Sequence, residues 1–309
     1  MMRYIFGADI GGTRTKLGLT DIQMGIIISQ SVIPTEGSSK ESFLDAFSDC
    51  FESQLSKNGL NKDQIFGIGI SIGSYIFPAN GVVDTMGGFI NIPDGYPLKD
   101  IIEERMELPC RIENDARLIC YAESLFGAGK AYGRVLTLTL GTGVGVGFVV
   151  NKRFPDPDAC NHLSGHLKVR SLGEIPVLDQ AKCYCAVDGC LESTCSGTAL
   201  QRYARSILGS NVTNEELFAL AEAGDSGAKQ IVDWYMTYLS IGLNQLIYVY
   251  APDMIVLAGG VANSLEPYLD RIREQTTARI HSEYKCEITT SKLKESAGII
   301  GAASLFLEE

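Results

Sequence analysis

Apolar positions fall into short runs broken by glycine-rich turns. The runs Tyr4 to Phe6 and Leu17 to Leu19 flank Asp-Ile-Gly-Gly-Thr-Arg-Thr-Lys at 9–16, which predicts two strands meeting at a turn on Gly11 and Gly12. The turn is a hairpin rather than a strand-to-helix junction. Phe43, Leu44, Phe47, Phe51 and Leu55 recur at helical spacing within residues 39–57, behind serines suited to capping. Residues 65–72 read as a buried strand whose glycines mark close backbone approach. Residues 97–107 form an amphipathic pattern ahead of a strand at 110–112. A helix then carries Leu118, Tyr121, Ala122, Leu125 and Phe126.

The strand–turn–strand arrangement returns at Leu138 to Gly147, Leu-Thr-Leu-Gly-Thr-Gly-Val-Gly-Val-Gly. Helical patterns follow at 197–208, 214–223 and 226–250, the last apolar on several sides and so assigned to a core. A buried strand at 254–258 ends in Gly259-Gly260, with helices near 266–279 and 297–307. Residues 81–84 and 89–93 are turn-rich, and 151–162, with Pro155 and Pro157, has no clear periodicity. The latter is a candidate specificity loop.

Candidate chemistry starts at the turns. A glycine pair lets backbone amides approach a phosphate, Thr13 and Thr15 add hydroxyl donors, and Lys16 or Arg14 adds positive charge. Asp9, at the end of its strand, can hold Mg2+ directly or through its waters. The second turn, with Gly141, Thr142 and Gly143, suggests two related halves gripping one nucleotide. Gly259 and Gly260 let a flat base or ribose lie against backbone.

Six of the nine cysteines are scattered singly, which points away from a disulfide framework. The other three form Cys183-x-Cys185-x4-Cys190, a spacing that wraps one tetrahedral Zn2+. Histidine is a natural fourth ligand, and the chain has His162, His166 and His281.

These residues resemble the superfamily of actin, the heat-shock chaperone ATPases and hexokinase, and within it the ROK family (repressor, open reading frame, kinase). Asp-Ile-Gly-Gly-Thr at 9–13, Glu-Asn-Asp-Ala at 113–116, Gly-Thr-Gly-Val-Gly at 141–145, Gly165-His166, Cys-Tyr-Cys-Ala-Val-Asp-Gly-Cys-Leu-Glu at 183–192 and Gly259-Gly260 carry the likeness. It spans essentially the whole chain. It implies an α/β, two-domain actin-like ATPase (ribonuclease H-like) fold with a mixed sheet in each domain. The small domain would hold residues 1–116 plus 292–309, and the large domain 117–291 with the zinc loop. The two would close over the substrates, with the final helix packing on the N-terminal domain.

The resemblance implies ATP- and Mg2+-dependent phosphorylation of a sugar or sugar-like hydroxyl. Asp115 would be the catalytic base and Asn114 would orient the sugar. Asn91, His166 and Glu192 would be further sugar contacts, and Gly259-Gly260 would meet the adenosine. A structural Zn2+ would be bound by His166, Cys183, Cys185 and Cys190, with no open position for water. A homodimer is implied by analogy alone. Departures fall on the acceptor side. Leu163 stands where ROK glucokinases usually carry a sugar-contacting glutamate, and Gly73-Ser74-Tyr75 replaces a Pro-Gly. Arg117 replaces a small or amide residue, and Ala186 a glycine. Glucose as acceptor is therefore in question, with His162, Asp158 or Asn161 as replacement contacts. The alternative is a catalytically silent ROK sugar-binding or sensor protein.

Composition narrows the partners. With 45% hydrophobic and 20% charged residues, the 309-residue chain has the makeup of a globular protein with room for two cores. A net charge of -11 without a basic patch argues against a nucleic-acid face. The N-terminal apolar run is too short for a signal peptide and no later run reaches membrane-spanning length, which places the protein in the cytoplasm. No helix-turn-helix segment stands ahead of Asp9, which points away from the repressor branch.

Overall fold

The computed structural model describes residues 4–35, 39–77, 80–84, 95–155, 161–173, 175–180, 182–278, 280–281 and 283–307. Contacts divide the chain into two compact units, one of Met1–Phe126, Phe154–Cys160 and Glu295–Glu309, the other of Gly127–Arg153 and Asn161–Lys294. The first begins with β1 (Tyr4–Ile10), β2 (Arg14–Asp21), β3 (Ile26–Pro34), α1 (Lys40–Asn58) and β4 (Ile65–Ile72). It continues with β5 (Tyr75–Phe77), β6 (Val82–Asp84), α2 (Leu98–Met106), β7 (Cys110–Asn114) and α3 (Asp115–Phe126). The second unit holds β8 (Arg134–Leu140), β9 (Val144–Val150), α4 (Leu191–Cys195), α5 (Gly197–Leu208) and α6 (Asn214–Glu222). Then come α7 (Ser226–Tyr250), β10 (Met254–Ala258), α8 (Leu269–Thr277) and β11 (Glu287–Thr290). The last helix, α9 (Ala297–Ser304), returns to the first unit.

In the first unit the sheet order is β3-β2-β1-β4-β7, with the β3–β2 and β2–β1 pairs antiparallel and the β1–β4 and β4–β7 pairs parallel. The predicted hairpin is therefore present, with Ile10 opposite Thr15. One sheet face packs on α1, where Phe6 meets Phe47 and Phe51 edge-on at centroid distances of 5.7 and 5.1 Å. The Ser39 hydroxyl caps α1 by accepting from the Ser42 amide. The other face packs on α9, all of which is buried. A β-carbon on Gly69 would lie 2.0 Å from the carbonyl oxygen of Ala302, so glycine at that point of β4 lets the helix lie against the strand.

The domain boundary drawn between Ala116 and Arg117 from sequence differs from the contact division, which falls after Phe126. Helix α3 packs on α9 and continues directly from β7, so contacts keep it with the first unit.

The second unit has the order β11-β10-β8-β9, with β8 and β9 antiparallel and the rest parallel. Its core joins Leu136, Leu138, Val146, Ile255 and Leu257 to Leu239, Leu243 and Leu246 of α7. The long helix is met by α4, α5, α6 and α8, which explains its apolar character on several sides. The helix read at 266–279 is instead a 3-10 segment over Val261–Tyr268 followed by α8, and Pro267 inside the segment removes a backbone donor. Residues 81–84 are not a loop but belong to a small β5–β6 hairpin, while 89–93 lie outside the described residues.

Candidate active site and metal centre

Within the first unit, β1 ends in Asp9 and the turn that follows is closed by the Gly11 amide donating to the Arg14 carbonyl at 3.2 Å. Thr13 and Arg14 are exposed at the tip, where donors for an anion are needed. Thr15 is not. It is fully buried, and its hydroxyl lies 2.6 Å from that of Thr35, so its side chain serves the sheet rather than the turn. Lys16 pairs with Glu295 at 3.0 Å, which offsets much of its charge. Asp9 accepts from the Ser71 hydroxyl at 2.9 Å. Burial pushes its carboxyl above the usual range, against the Ser71 bond and Lys16.

The junction of β7 and α3 sets the next two residues. Asn114 is buried; its Oδ1 accepts from the amides of Ala116 at 3.0 Å and Arg117 at 3.3 Å, and its Nδ2 donates to Ser74 O at 3.0 Å. It is the helix cap that such a residue ordinarily provides, with one Nδ2 proton left over. Asp115 is the first residue of α3 and partly buried. Burial first and the negative charge of Asp9 second push its carboxyl up to about 6. The negative charge of Asp9 thus reaches Asp115, and both carboxyls are raised chiefly by burial. Glu113 faces the helix and pairs with Arg117 Nε at 3.2 Å, and the Arg117 guanidinium lies over the Phe154 ring at 4.5 Å.

In the second unit, the turn after β8 places Gly141 and Gly143 partly exposed and Thr142 exposed. The carbonyl of Gly141 accepts from the Gly197 amide at 2.8 Å and that of Thr142 from the Thr198 hydroxyl at 2.8 Å. These bonds tie the turn to the start of α5. Gly259 follows β10 with φ 89, a backbone that a β-carbon would strain and crowd against Leu140. A β-carbon on Gly141 or on Gly260 would meet nothing within 4 Å, so both have open space beside them.

The metal cluster is also in the second unit. The ligand atoms of His166, Cys183, Cys185 and Cys190 all lie within 4.8 Å of one another. His166 Nδ1 is 3.5 Å from Cys183 Sγ and 3.9 Å from Cys190 Sγ. With Zn–S near 2.3 Å and Zn–N near 2.0 Å, the edges of a tetrahedral site are about 3.6–3.8 Å, so the four donors fit the ion. Gly165 presents the histidine: a β-carbon there would strike Val144 O at 2.1 Å, so glycine lets the 3-10 turn Asn161–His166 rest on β9. Burial pushes the Cys190 thiol up, but its bonds with His166 and Ser193 prevail and hold it below the ordinary range. Ala186 sits at φ 57, so the turn at this position does require the left-handed backbone.

Glu192, on α4, joins the cluster to the second turn. Its Oε2 accepts from the Val144 amide at 3.0 Å and its Oε1 from the Cys183 thiol at 3.2 Å. Asn91 and Asp158 lie outside the described residues, and His162 is partly buried on the turn that carries His166. Sequence reasoning missed Ser71, Glu295 and Gly298, which hold or crowd Asp9 and Lys16. It also passed over Tyr184, whose hydroxyl meets His166 Nε2 at 2.7 Å.

The two units, each built on a mixed sheet, have the actin-like ATPase fold. The ROK hexokinase from Thermus thermophilus matches with a TM-score of 0.82 and 30% identity over 99% of this chain and 98% of that one. A ROK family glucokinase from Streptomyces griseus, in complex with glucose and AMPPNP, gives 0.79 and 28% over 98% of each. The chain belongs to the ROK family, whose profile matches residues 5–309. A glucokinase of Halalkalibacterium halodurans is 29% identical over 333 residues, 99% of this chain and 96% of the relative.

Proposed function

We propose that the protein is an ATP- and Mg2+-dependent carbohydrate kinase that transfers the γ-phosphoryl group of ATP to a hydroxyl of a sugar or sugar-like acceptor. The observation that carries this is Asp115: a carboxyl at the start of α3, raised to about 6, beside the Asp9 hairpin. A base near that value is ionised at neutral pH yet still takes a proton readily. As the acceptor oxygen bonds to the γ-phosphorus, Asp115 takes the hydroxyl proton. The bond between the γ-phosphorus and the bridging oxygen breaks, and ADP leaves with the electron pair.

In the first unit the exposed Thr13 and Arg14 would supply donors to phosphate; in the second, the open faces of Gly141 and Gly260 would leave room beside the backbone for a nucleotide. Mg2+ held with Asp9 would supply charge neutralisation for the phosphate oxygens. Zn2+ on His166, Cys183, Cys185 and Cys190 would be structural, since four protein ligands leave no open position. Asn91, Asn114, His166 and Glu192 remain the proposed acceptor contacts, Asn114 through its last amide proton. The cytoplasmic homodimer belongs to the same proposal.

Leu163, which has no acceptor atom to offer, favours the rival reading, a silent sugar-binding ROK protein. ADP release with Mg-ATP across hexoses, N-acetylhexosamines and cyclic polyols decides between them, with Asp115→Asn alongside. Acceptor-dependent release lost in the variant supports the kinase. A folded, zinc-loaded protein that binds sugar but never releases ADP supports the silent module.

A further inference from the structure

Tyr184 lies between Cys183 and Cys185 and is 60% exposed. Its ring stands edge-on to His166 at a centroid distance of 4.8 Å, and its hydroxyl is 2.7 Å from His166 Nε2. The other imidazole nitrogen, Nδ1, faces the sulfurs of Cys183 and Cys190. With Nδ1 on a metal, Nε2 would carry the ring proton and donate to the phenol oxygen. The phenol's own proton is then available to an outside acceptor. An imidazole polarised from its far side makes the phenol a stronger donor, because hydrogen bonds in a chain reinforce one another.

On the same 3-10 turn as His166, Leu163 offers no polar atom at all. From this arrangement we infer that Tyr184 is a specificity-determining contact of the acceptor pocket, whose hydroxyl donates to an oxygen of the bound sugar. The inference rests on the sugar-kinase reading for the identity of the ligand, but its geometry lies wholly within the metal loop. With Nδ1 turned to the sulfurs and Nε2 on the phenol, His166 meets the acceptor through the Tyr184 hydroxyl, which reaches further from the cluster than the imidazole alone. It therefore selects acceptors that keep an oxygen at that distance and rejects those that lack one, because an unmatched donor loses its hydrogen bond on desolvation.

The test uses the zinc-loaded full chain. Equilibrium binding of D-glucose and of N-acetyl-D-glucosamine is measured by calorimetry without nucleotide, for wild type, Tyr184→Phe and Asp115→Asn, with zinc content measured on each. Tyr184→Phe keeps the ring and removes only the hydroxyl. Loss of one neutral hydrogen bond predicts an affinity about 2- to 13-fold weaker for whichever sugar binds. Zinc content and the KM for ATP should stay unchanged.

Affinity unchanged or tightened in Tyr184→Phe overturns the proposal, the second result marking the phenol as a plug. Failure of the wild type to bind either sugar also overturns it. Asp115→Asn separates the two levels. If wild type binds sugar but transfers no phosphate, the kinase reading falls while the Tyr184 comparison still stands or falls on binding alone.

Discussion

A β-carbon built on Gly298 would stand 2.4 Å from the carboxyl carbon of Asp9 and 2.6 Å from each of its oxygens. The start of α9 therefore fixes where the end of β1 holds its carboxylate. Gly298→Ala must displace Asp9 or the helix, and misplacing a group that positions reactants costs about 100-fold in rate. The expected outcome is a loss of that order in kcat/KM for Mg-ATP. Gly301→Ala is the control: its β-carbon would meet Leu118 O at 2.3 Å and not Asp9. Both variants should lose about 1–3 kcal/mol of stability from overpacking. Equal losses of ATP affinity in the two would sink the assignment.

Asp115 sets the pH dependence. Its folded pKa, about 6, lies above the ordinary aspartate value, so the folded protein favours the protonated acid. The stability this contributes is fully present below the unfolded value and is lost as pH rises through about 6. Activity should run the other way, rising with pH as the carboxylate forms. Asp115→Asn removes both trends. Relative to wild type the variant should gain about 1–3 kcal/mol between pH 4 and pH 8. Its turnover should drop by about 100- to 10,000-fold. Chemical denaturation at the two pH values checks the first claim, and a variant whose relative stability does not change with pH contradicts it.

Thr15 gives the opposite kind of prediction. Its hydroxyl is buried against that of Thr35, so Thr15→Val leaves one buried oxygen without its partner. The cost should be about 1–3 kcal/mol of stability. The KM for ATP should stay within about twofold of wild type, because surface-independent core losses need not reach the turn. A large rise in KM without loss of stability would return Thr15 to the phosphate grip.

The contrast between Thr15 and Thr13 shows what was legible in the sequence. Period two along β2 puts Thr15 on the face of Leu17 and Leu19, a signal present in the sequence but overridden by the motif around it. The hairpins, the long helix and the grouping of the cysteines with His166 were readable because each depends on residue types at fixed spacing. Gly298 was not readable, since its constraint is a space shared with a residue near the opposite end of the chain. Asn114 caps α3 in the structure, whatever else its remaining proton does. Tyr184 was hidden between Cys183 and Cys185, where only the position of His166 gives the hydroxyl a partner.

Ala186 tests the metal loop. Its amide donates to Cys183 O at 3.1 Å and the next amide, Val187, donates to Cys185 Sγ at 3.4 Å, so the left-handed turn at φ 57 shapes the backbone around two ligands. An alanine in that conformation is strained by about 1–2 kcal/mol, which glycine avoids. Glycine also gains about 0.4–1 kcal/mol of unfolded-chain freedom, which opposes the relief. The net gain for Ala186→Gly should be about 0.5–1 kcal/mol. Loop folding and metal binding are linked, so apparent zinc affinity should rise about two- to fivefold. Competition with a chromophoric chelator at fixed pH measures it. Cys185→Ser, which removes one of the four donors, should release the ion under the same conditions. Zinc held no more tightly by Ala186→Gly than by wild type would mean that the strain is relieved elsewhere in the loop.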